Sequence, residues 1–550
     1  MQISIVNYKT VKENSDFRYE SEFWLPKYIE EENQLNRINI LSLIDCVSFS
    51  NGHAFDSNEF SFEGEIYISK IGDVTQKRDF NSWERVSRKY FEEFKAKYLK
   101  HNDILMTLTG DPPDVGKVQL IFNPPKEKLS WNQRVALLRL KKQDKINAPE
   151  FLFIVLSSKY CRDHIERWAK GIRQRNVGNP AVLNMAVPIL LGLQNSISDI
   201  VRKSFELLEN SISLYSQAEQ TLLSELGLVN WKPKHYLSFV KRFSDTQNSE
   251  RIDAEYFQPK YEEVVERIKQ YRKGYKPLAE IVKVKDKNFQ PKDDVTYRYI
   301  ELANISANGN INGFIEAQGK ELPTRARRKV DAGDVIVSTI EGALSSIALV
   351  SDDLDNALCS TGFFVINSER INSETLLVLL RSLVGQLQLK KGCSGTILTA
   401  IGDDEFKRII LPDLPAIVQD KLKKKITEMY NAKALSKSLL DIAKRGVEMA
   451  IEKGEKEAES WIKTSMTDLI RRRDMDKEKK KDVGEFRGLS LASPTTPDVK
   501  NVESNKIIRK SSLASPTLPD PKPITPSQPV STTKLSGNNT KADAPSKKSK

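Results

Sequence analysis

The sequence predicts a chain built twice over: two tandem units of mixed strand and helix, each closed by a long helix, followed by a tail that does not fold. Three observations predict it. A stretch near the start, RYESEFWLPKY (18–28), returns 233 residues later as RIDAEYFQPKY (251–261). Two long stretches repeat apolar residues on alternating three- and four-residue steps, the spacing of a helix with one buried seam. Beyond about residue 465 the composition turns to charge runs and proline.

The paired stretches share Arg18/Arg251, an acid at Glu20/Asp253, Glu22/Glu255, the aromatic pair Phe23-Trp24/Tyr256-Phe257 and Pro26-Lys27-Tyr28/Pro259-Lys260-Tyr261. The likeness continues in order along both halves. YISKIGDV (67–74) and YIELANIS (299–306) alternate apolar and polar residues and read as strands. NDILMTLTG (102–110) corresponds to GDVIVSTIEG (333–342), each a strand introduced by an acid and ended by a glycine turn. Apolar segments PEFLFIVLSS (149–158) and SETLLVLLRSL (373–383) follow, then Lys170-Gly171 and Lys391-Gly392. A proline-marked strand closes each half, MAVPILLGL (185–193) or KRIILPDLP (407–415), and runs directly into a helical pattern.

In the first pattern Val201, Phe205, Leu208, Ile212, Tyr215, Leu222 and Leu226 form the seam, with Glu219 interrupting it; in the second Leu422, Ile426, Met429, Leu435, Leu439, Ile442 and Met449 do so. An ordinary amphipathic helix packed on its own domain is the alternative. Length favours a coiled-coil seam, because about 30 residues at ~1.5 Å each make a rod of ~45 Å. In the tail, RRRDMDKEKKK (471–481) is a charge run, 9 of the 24 prolines fall after residue 490, and SLASPTTPD (490–498) recurs as SLASPTLPD (512–520). Such a segment buries too little apolar surface to offset its ordering entropy and is expected to be disordered.

At 550 residues and 39% apolar the chain exceeds one ordinary core. Its longest apolar stretch, VLNMAVPILLGL (182–193), is broken by Asn184 and Pro188 and falls short of the ~20 residues that span a bilayer. With no basic-then-apolar leader at the start, a cytoplasmic location and no membrane association are expected. Cys46, Cys161, Cys359 and Cys393 are widely separated, so reduced structural thiols are expected rather than a metal or disulfide framework. His53, His101, His164 and His235 are isolated, which suits surface or helix-end roles. The net charge is +12, but residues 459–550 carry 19 Lys and Arg against 11 Asp and Glu, leaving +4 for the first 458 residues. DNA binding by the folded part must therefore rest on local clusters.

Enzyme motifs come close without matching. GDPPDVGKV (110–118) spaces its glycines one residue too far for a phosphate loop and has Val118 where a magnesium-binding Ser or Thr belongs. NPPK (123–126) lacks the aromatic face that grips a flipped base, and no glycine-rich cofactor loop accompanies it. Pro113-Asp114 begins no acid-x-Lys nuclease site. No cofactor or metal is expected. Basic residues, in contrast, cluster among aromatic and polar ones: Lys77, Arg78, Trp83, Arg85, Arg88 and Lys89; Arg325, Arg327, Arg328 and Lys329; and the stretch KGIRQRN (170–176). Lys and Arg neutralise phosphates, while Arg, Gln and Asn make paired contacts to guanine and adenine edges.

The duplicated layout, with NDILMTLTG, GDVIVSTIEG, WNQRVALLRL (131–140), the G-x-x-Q-x-N stretch Gly171 to Asn176, and VPILLGLQNSI (187–197) leading to LLSELGLVNW (222–231), resembles the specificity (S) subunit of type I restriction-modification systems. The resemblance covers about residues 15–455. It implies an α/β (α+β) fold: a target-recognition domain at 1–193, a central spacer helix at 194–232, a second recognition domain at 233–415, a second spacer helix at 416–465 and the tail at 466–550, with the spacers packed as an antiparallel coiled coil. It implies a non-catalytic chain that reads a bipartite site in double-stranded DNA and works with modification (M) subunits, expected in two copies, and restriction (R) subunits. The DNA-contacting candidates are Lys77, Arg78, Arg85, Arg88, Lys89, Arg134, Lys170, Arg173, Gln174, Arg175, Asn176, Arg325, Arg327, Arg328, Lys329 and Lys391. Two features depart from the family pattern: GCSGTI (392–397) replaces GIRQRN in the second half, and the proline-rich tail is extra. A methyltransferase or nuclease with divergent motifs, and a coiled-coil scaffold that does not touch DNA, remain the alternative readings.

Overall fold

The computed structural model describes residues 6–13, 18–61, 63–76, 80, 83–112, 114–142, 144–285, 287–305, 309–395 and 399–486. Residues 1–479 form one compact unit, and the tail from 487 onward lies outside the described residues.

The repeat in sequence is a repeat in topology. In the first half an antiparallel sheet runs in the order Val47–Asn51, Val135–Leu140, Ile104–Thr107, Val118–Leu120; in the second the same order is Lys283–Val284, Phe363–Asn367, Val335–Ser338, Ile347–Leu349. Beside it Ile66–Ser69 pairs antiparallel with Glu84–Val86 and parallel with Leu129–Trp131. Thr296–Ile300 does the same with Ile315–Gln318 and Leu358–Ser360. The proline-marked strands close each domain onto its own beginning, Ala186–Pro188 against Ile40–Ser42 and Ile410–Pro412 against Tyr275–Pro277.

The apolar segments form helices Pro149–Ser157 and Ser373–Arg381, apolar on every side because every side is covered: Phe151 to Leu156 and Leu376 to Leu380 are all buried. Each stops at an extended serine, Ser158 or Ser382, whose hydroxyl donates back to Val155 O (2.6 Å) or Leu379 O (2.8 Å) before a second helix starts. A glutamine in each spacer holds the loop that precedes the buried helix. Gln194 accepts from Asn147 N (3.2 Å) and donates to Lys145 O (2.6 Å); Gln419 accepts from Asn372 N (3.1 Å) and donates to Arg370 O (3.3 Å).

The first spacer helix, Gln194–Glu225, ends in a Schellman motif: Gly227 has φ +68°, its N–H reaches Ser224 O, and Leu228 N reaches Leu223 O at 2.7 Å. The second, Ala416–Lys453, runs antiparallel to it. Ile197 lies by Gly446, Ser204 by Ser436 and Gln217 by Lys425. Each end of the pair enters a different domain core. Ile197, Ile200 and Val201 join Leu439, Ala443 and Val447 in the first, and Ala218 and Leu222 join Val418, Leu422 and Ile426 in the second.

Two expectations differ from the structure. The seam of the first spacer is lined by Ile197, Ser204, Ser211 and Ala218, with Val201 and Leu222, whereas Phe205 is only half-buried and Ile212 is 37% exposed. Ser204 Oγ meets both Ser436 O and Ser436 Oγ at 2.9 Å, so at this level the helices touch through small residues, and Phe205 and Ile212 lie to the flank. The helical segment expected to end at 465 breaks instead at Gly454 (φ +97°) and resumes as Glu455–Phe486, so helix continues into the segment expected to be a tail. Ala458 and Ile462 pack into the first core. No helix among the described residues is long and apolar enough to cross a membrane.

Candidate nucleic-acid interface

KGIRQRN folds into a tight hairpin. Lys170 and Asn176 exchange backbone hydrogen bonds of 2.9 and 2.8 Å, and Gly171 takes φ +114° with Gln174 O only 2.2 Å from where a Cβ would stand. Only glycine fits there. The closing strand Arg175–Asn176 pairs with Thr109–Gly110, the end of the NDILMTLTG strand, and Thr109 Oγ1 donates to Asn176 Oδ1 at 2.6 Å. Val177 N reaches Leu108 O, and Leu108 N reaches Arg134 O, both at 2.9 Å, so the exposed Arg134 turn adjoins the hairpin's base. Lys170, Arg173 and Gln174 are exposed around Ile172, which is 94% exposed at the tip. Arg175 is half-buried and its Nε has no hydrogen-bond partner. Sequence reasoning passed over Ile172 because an isolated isoleucine reads as core; its position in G-I-R-Q was the available signal.

The second domain builds the same device with other chemistry. Cys393–Ser394 pairs with Ala400–Ile401, and Ile401 N and Glu341 N bond Thr339 O (2.8 Å) and Thr399 O (2.9 Å) at the end of the GDVIVSTIEG strand. The loop it carries, Cys393 to Ala400, contains no basic residue.

The other candidates divide. Lys77 and Arg78 lie outside the described residues. Arg85 stacks on Tyr67 (4.5 Å) from the outer strand Glu84–Val86, and Arg88 donates to Tyr98 Oη (3.2 Å) and lies 4.0 Å from Glu92, leaving Lys89 exposed. Ala326–Lys329 flanks Leu358–Ser360, the opposite edge of the equivalent sheet. Its topological counterpart is the Lys97–Leu99 segment beside Leu129–Trp131, so the two basic clusters do not occupy corresponding positions. Arg325 and Lys329 are exposed, Arg327 bonds Gln290 and Thr324 O, and Arg328 buries two guanidinium nitrogens without partners. Lys391 is turned inward: its Nζ lies 4.9 Å over the Tyr256 ring, and burial holds its pKa below the ordinary lysine value.

That contact explains the repeated motif. Arg18 (4.7 Å) and Arg167 (4.3 Å) sandwich the Phe23 ring, as Arg251 (4.6 Å) and Lys391 (4.9 Å) sandwich Tyr256. Pro26 and Pro259 each open a helix at its first position, where no N–H is needed, and Tyr28 and Tyr261 are buried beneath. The motif is packing.

The near-miss enzyme motifs are accounted for in the same way. Lys117 Nζ pairs with Asp114 (2.7 Å), and Asn123 Nδ2 bonds Glu209 on the first spacer (3.1 Å). The four cysteines are buried and free. His53 packs against Phe94 and Phe55, and His164, in the helix Lys159–Trp168, bonds Ala181 O (2.9 Å) from a largely enclosed site that lowers its pKa. Among the described residues no group of three or more His, Cys, Asp or Glu could hold a metal ion.

The sequence model described as "Type I restriction modification DNA specificity domain" matches residues 39–219, a span that holds the hairpin, the Thr109–Gly110 strand it pairs with and most of the first spacer. This segment belongs to that family. The chain is also similar to the type I restriction enzyme MjaVIII specificity subunit of Methanocaldococcus jannaschii, 29% identical over 154 residues, which are 27% of this chain and 35% of that protein. The match thus spans about a third of that relative's length. Solved structures with a likeness include a type I restriction-modification S subunit from M. genitalium (14% identity, 79% of this chain and 96% of that one, TM-score 0.32) and the HsdS subunit from Thermoanaerobacter tengcongensis (14% identity, 76% and 97%, TM-score 0.25). At these values the two superpositions carry no argument about this chain. The specificity domain and the second half share one topology, and the residues at the hairpin differ between them.

Proposed function

We propose that this chain is the non-catalytic recognition subunit of a type I restriction-modification complex, reading a bipartite site in double-stranded DNA with one domain per half-site. The observation that carries the reading is the paired hairpins: one scaffold built twice, presenting G-I-R-Q-R in one domain and an uncharged loop in the other. Identical frames with different tips suit two different half-sites, since phosphate contacts position a protein and base contacts specify the sequence. The spacer helices act as a ruler. At ~1.5 Å per residue the 32-residue first spacer is ~48 Å long, more than the ~34–36 Å of one DNA turn. The complex takes its methyl-transfer and cleavage activities from M and R subunits. Footprinting of the chain with its cognate M subunit is expected to show two protected blocks separated by an accessible spacer. A single continuous block would refute the two-domain reading, and methyl transfer by the isolated chain would refute the non-catalytic one.

A further inference from the structure

In each domain one strand residue joins two loops. In the first, Leu108 donates its N–H to Arg134 O, in the turn that follows Leu129–Trp131, and its carbonyl accepts from Val177 N, just past the 170–176 hairpin, both at 2.9 Å. In the second, Thr339 donates to Gly362 O (2.9 Å) and accepts from Ile401 N (2.8 Å). The sheet register makes the two residues equivalent, because Thr107 pairs with Val135 and Ser338 with Phe363, and Leu108 and Thr339 come next. A left-handed glycine recurs in each hairpin as well, Gly171 at φ +114° and Gly395 at φ +129°.

The turn in this frame differs between the halves as the hairpin does. Between Trp131 and Val135 it reads Asn132-Gln133-Arg134; between Ser360 and Phe363 it reads Thr361-Gly362, one residue shorter. The longer turn is fixed in shape. Arg134 N reaches Asn132 Oδ1 (3.3 Å), Gln133 N reaches His53 O (2.9 Å), and a Cβ on Gly52 would stand only 2.1 Å from Asn132 O. Gln133 and Arg134 are exposed on this rigid support, and the Gln133 amide makes no hydrogen bond with the described residues.

A glutamine amide donates and accepts at once, which matches N6 and N7 of adenine in the major groove; threonine and glycine offer no such pair. The frame around it is basic, with Arg134, Lys170 and Arg173 exposed and Arg175 half-buried. Of the acids that follow Gly110, Asp114 is paired with Lys117 (2.7 Å) and Asp111 is exposed. From the shared strand residue and the differing tips we propose that the turn 132–134 is a second base-reading loop beside the hairpin, in which Gln133 determines specificity by holding an adenine edge of the first domain's half-site. The inference rests on the DNA-reading function above. It adds a residue that a search for basic clusters passes over, because an amide carries no charge.

The test uses the full chain with its cognate M subunit and the duplex that footprinting defines, with each adenine of the half-site replaced in turn. Wild type is expected to lose roughly 5- to 150-fold in affinity at one position, the worth of one paired base contact, and to lose affinity there again with 7-deazaadenine, in which a C–H replaces N7. Q133A is expected to bind the intact and substituted duplexes equally at that position and to keep the wild-type salt slope, since no phosphate contact is removed. Q133E, whose carboxylate accepts but does not donate, is expected to move the preference there toward cytosine, whose N4 donates; a damaged fold would not produce that change. Wild-type discrimination at every position in Q133A overturns the proposal, as does a uniform loss across all sequences or loss of the M subunit with discrimination intact. A wild-type complex with no sequence preference overturns the proposed function itself.

Discussion

The hairpin at 170–176 offers the sharpest test, because its charge and its shape can be removed independently. Arg173 is exposed, and Arg175 keeps an unsatisfied guanidinium nitrogen beside it. If both reach phosphates, R173A/R175A removes two contacts, each contributing ~0.9 to the slope of log affinity against log salt. The slope should become shallower by about 1.8, which over a fourfold change in salt is roughly a tenfold difference in how much affinity is lost. Gly171→Ala keeps every charge. Its new Cβ would stand 2.2 Å from Gln174 O at φ +114°, a conformation that costs a non-glycine residue ~1–3 kcal/mol, and relief comes by opening the Lys170–Asn176 bonds. Its salt slope should stay near wild type, while discrimination between cognate and scrambled duplex falls by about 1–3 kcal/mol, the worth of one paired base contact. Fluorescence anisotropy between 50 and 200 mM salt, about the range over which such slopes are read, separates the outcomes. An unchanged slope in R173A/R175A together with wild-type discrimination in Gly171→Ala would remove the hairpin from the interface.

Asp103 is 1% exposed and held by Arg139 at 2.6 Å; because Arg139 is 35% exposed, Asp103→Asn should cost ~3 kcal/mol, the lower end for a broken buried pair, and a loss below ~1 kcal/mol in chemical denaturation would contradict this. Ser204→Leu, which forces a large side chain into the closest part of the helix pair, should cost ~1–3 kcal/mol, whereas Ile212→Ser on the exposed flank should cost little; equal effects would mean the seam is misplaced. Glu452 is held down to about 2 by Arg445 and Lys159, below the ordinary 4.5. Its contribution is therefore full above pH 4.5 and lost as pH falls toward 2, so the melting temperatures of wild type and Glu452→Gln should converge on acidification; a gap that stays constant from pH 7 to pH 3 would refute the assignment.

Much of the architecture was legible because period and order survive in a sequence without any three-dimensional information. The motif copies, the acid-led strands and the buried apolar helices all recur at nearly constant spacing, and the folded halves share one strand topology. Reading failed where a contact depends on partners distant in the chain. Ser204, Ser211 and Ala218 are not apolar enough to announce a seam, yet they line it beside Ile197, Val201 and Leu222, and at Ser204 the helices come close enough for its hydroxyl to meet Ser436. The clusters at 85–89 and 325–329 each read as a run of charge, and nothing in the runs showed that they lie on opposite sheet edges. Lys391 looked like a surface cation and is stacked on Tyr256.

By itself, then, the sequence determined that the chain carries one order of elements twice and which short stretches correspond, since these follow from residue types at fixed short spacings. Only the tertiary structure decided which basic residues share a surface, how closely the spacers approach, and why the motif is kept in both halves. Those depend on pairings such as Thr109 with Asn176, 67 residues apart. Nothing local to either strand specifies such a pairing; it is settled when the whole domain buries its apolar helix.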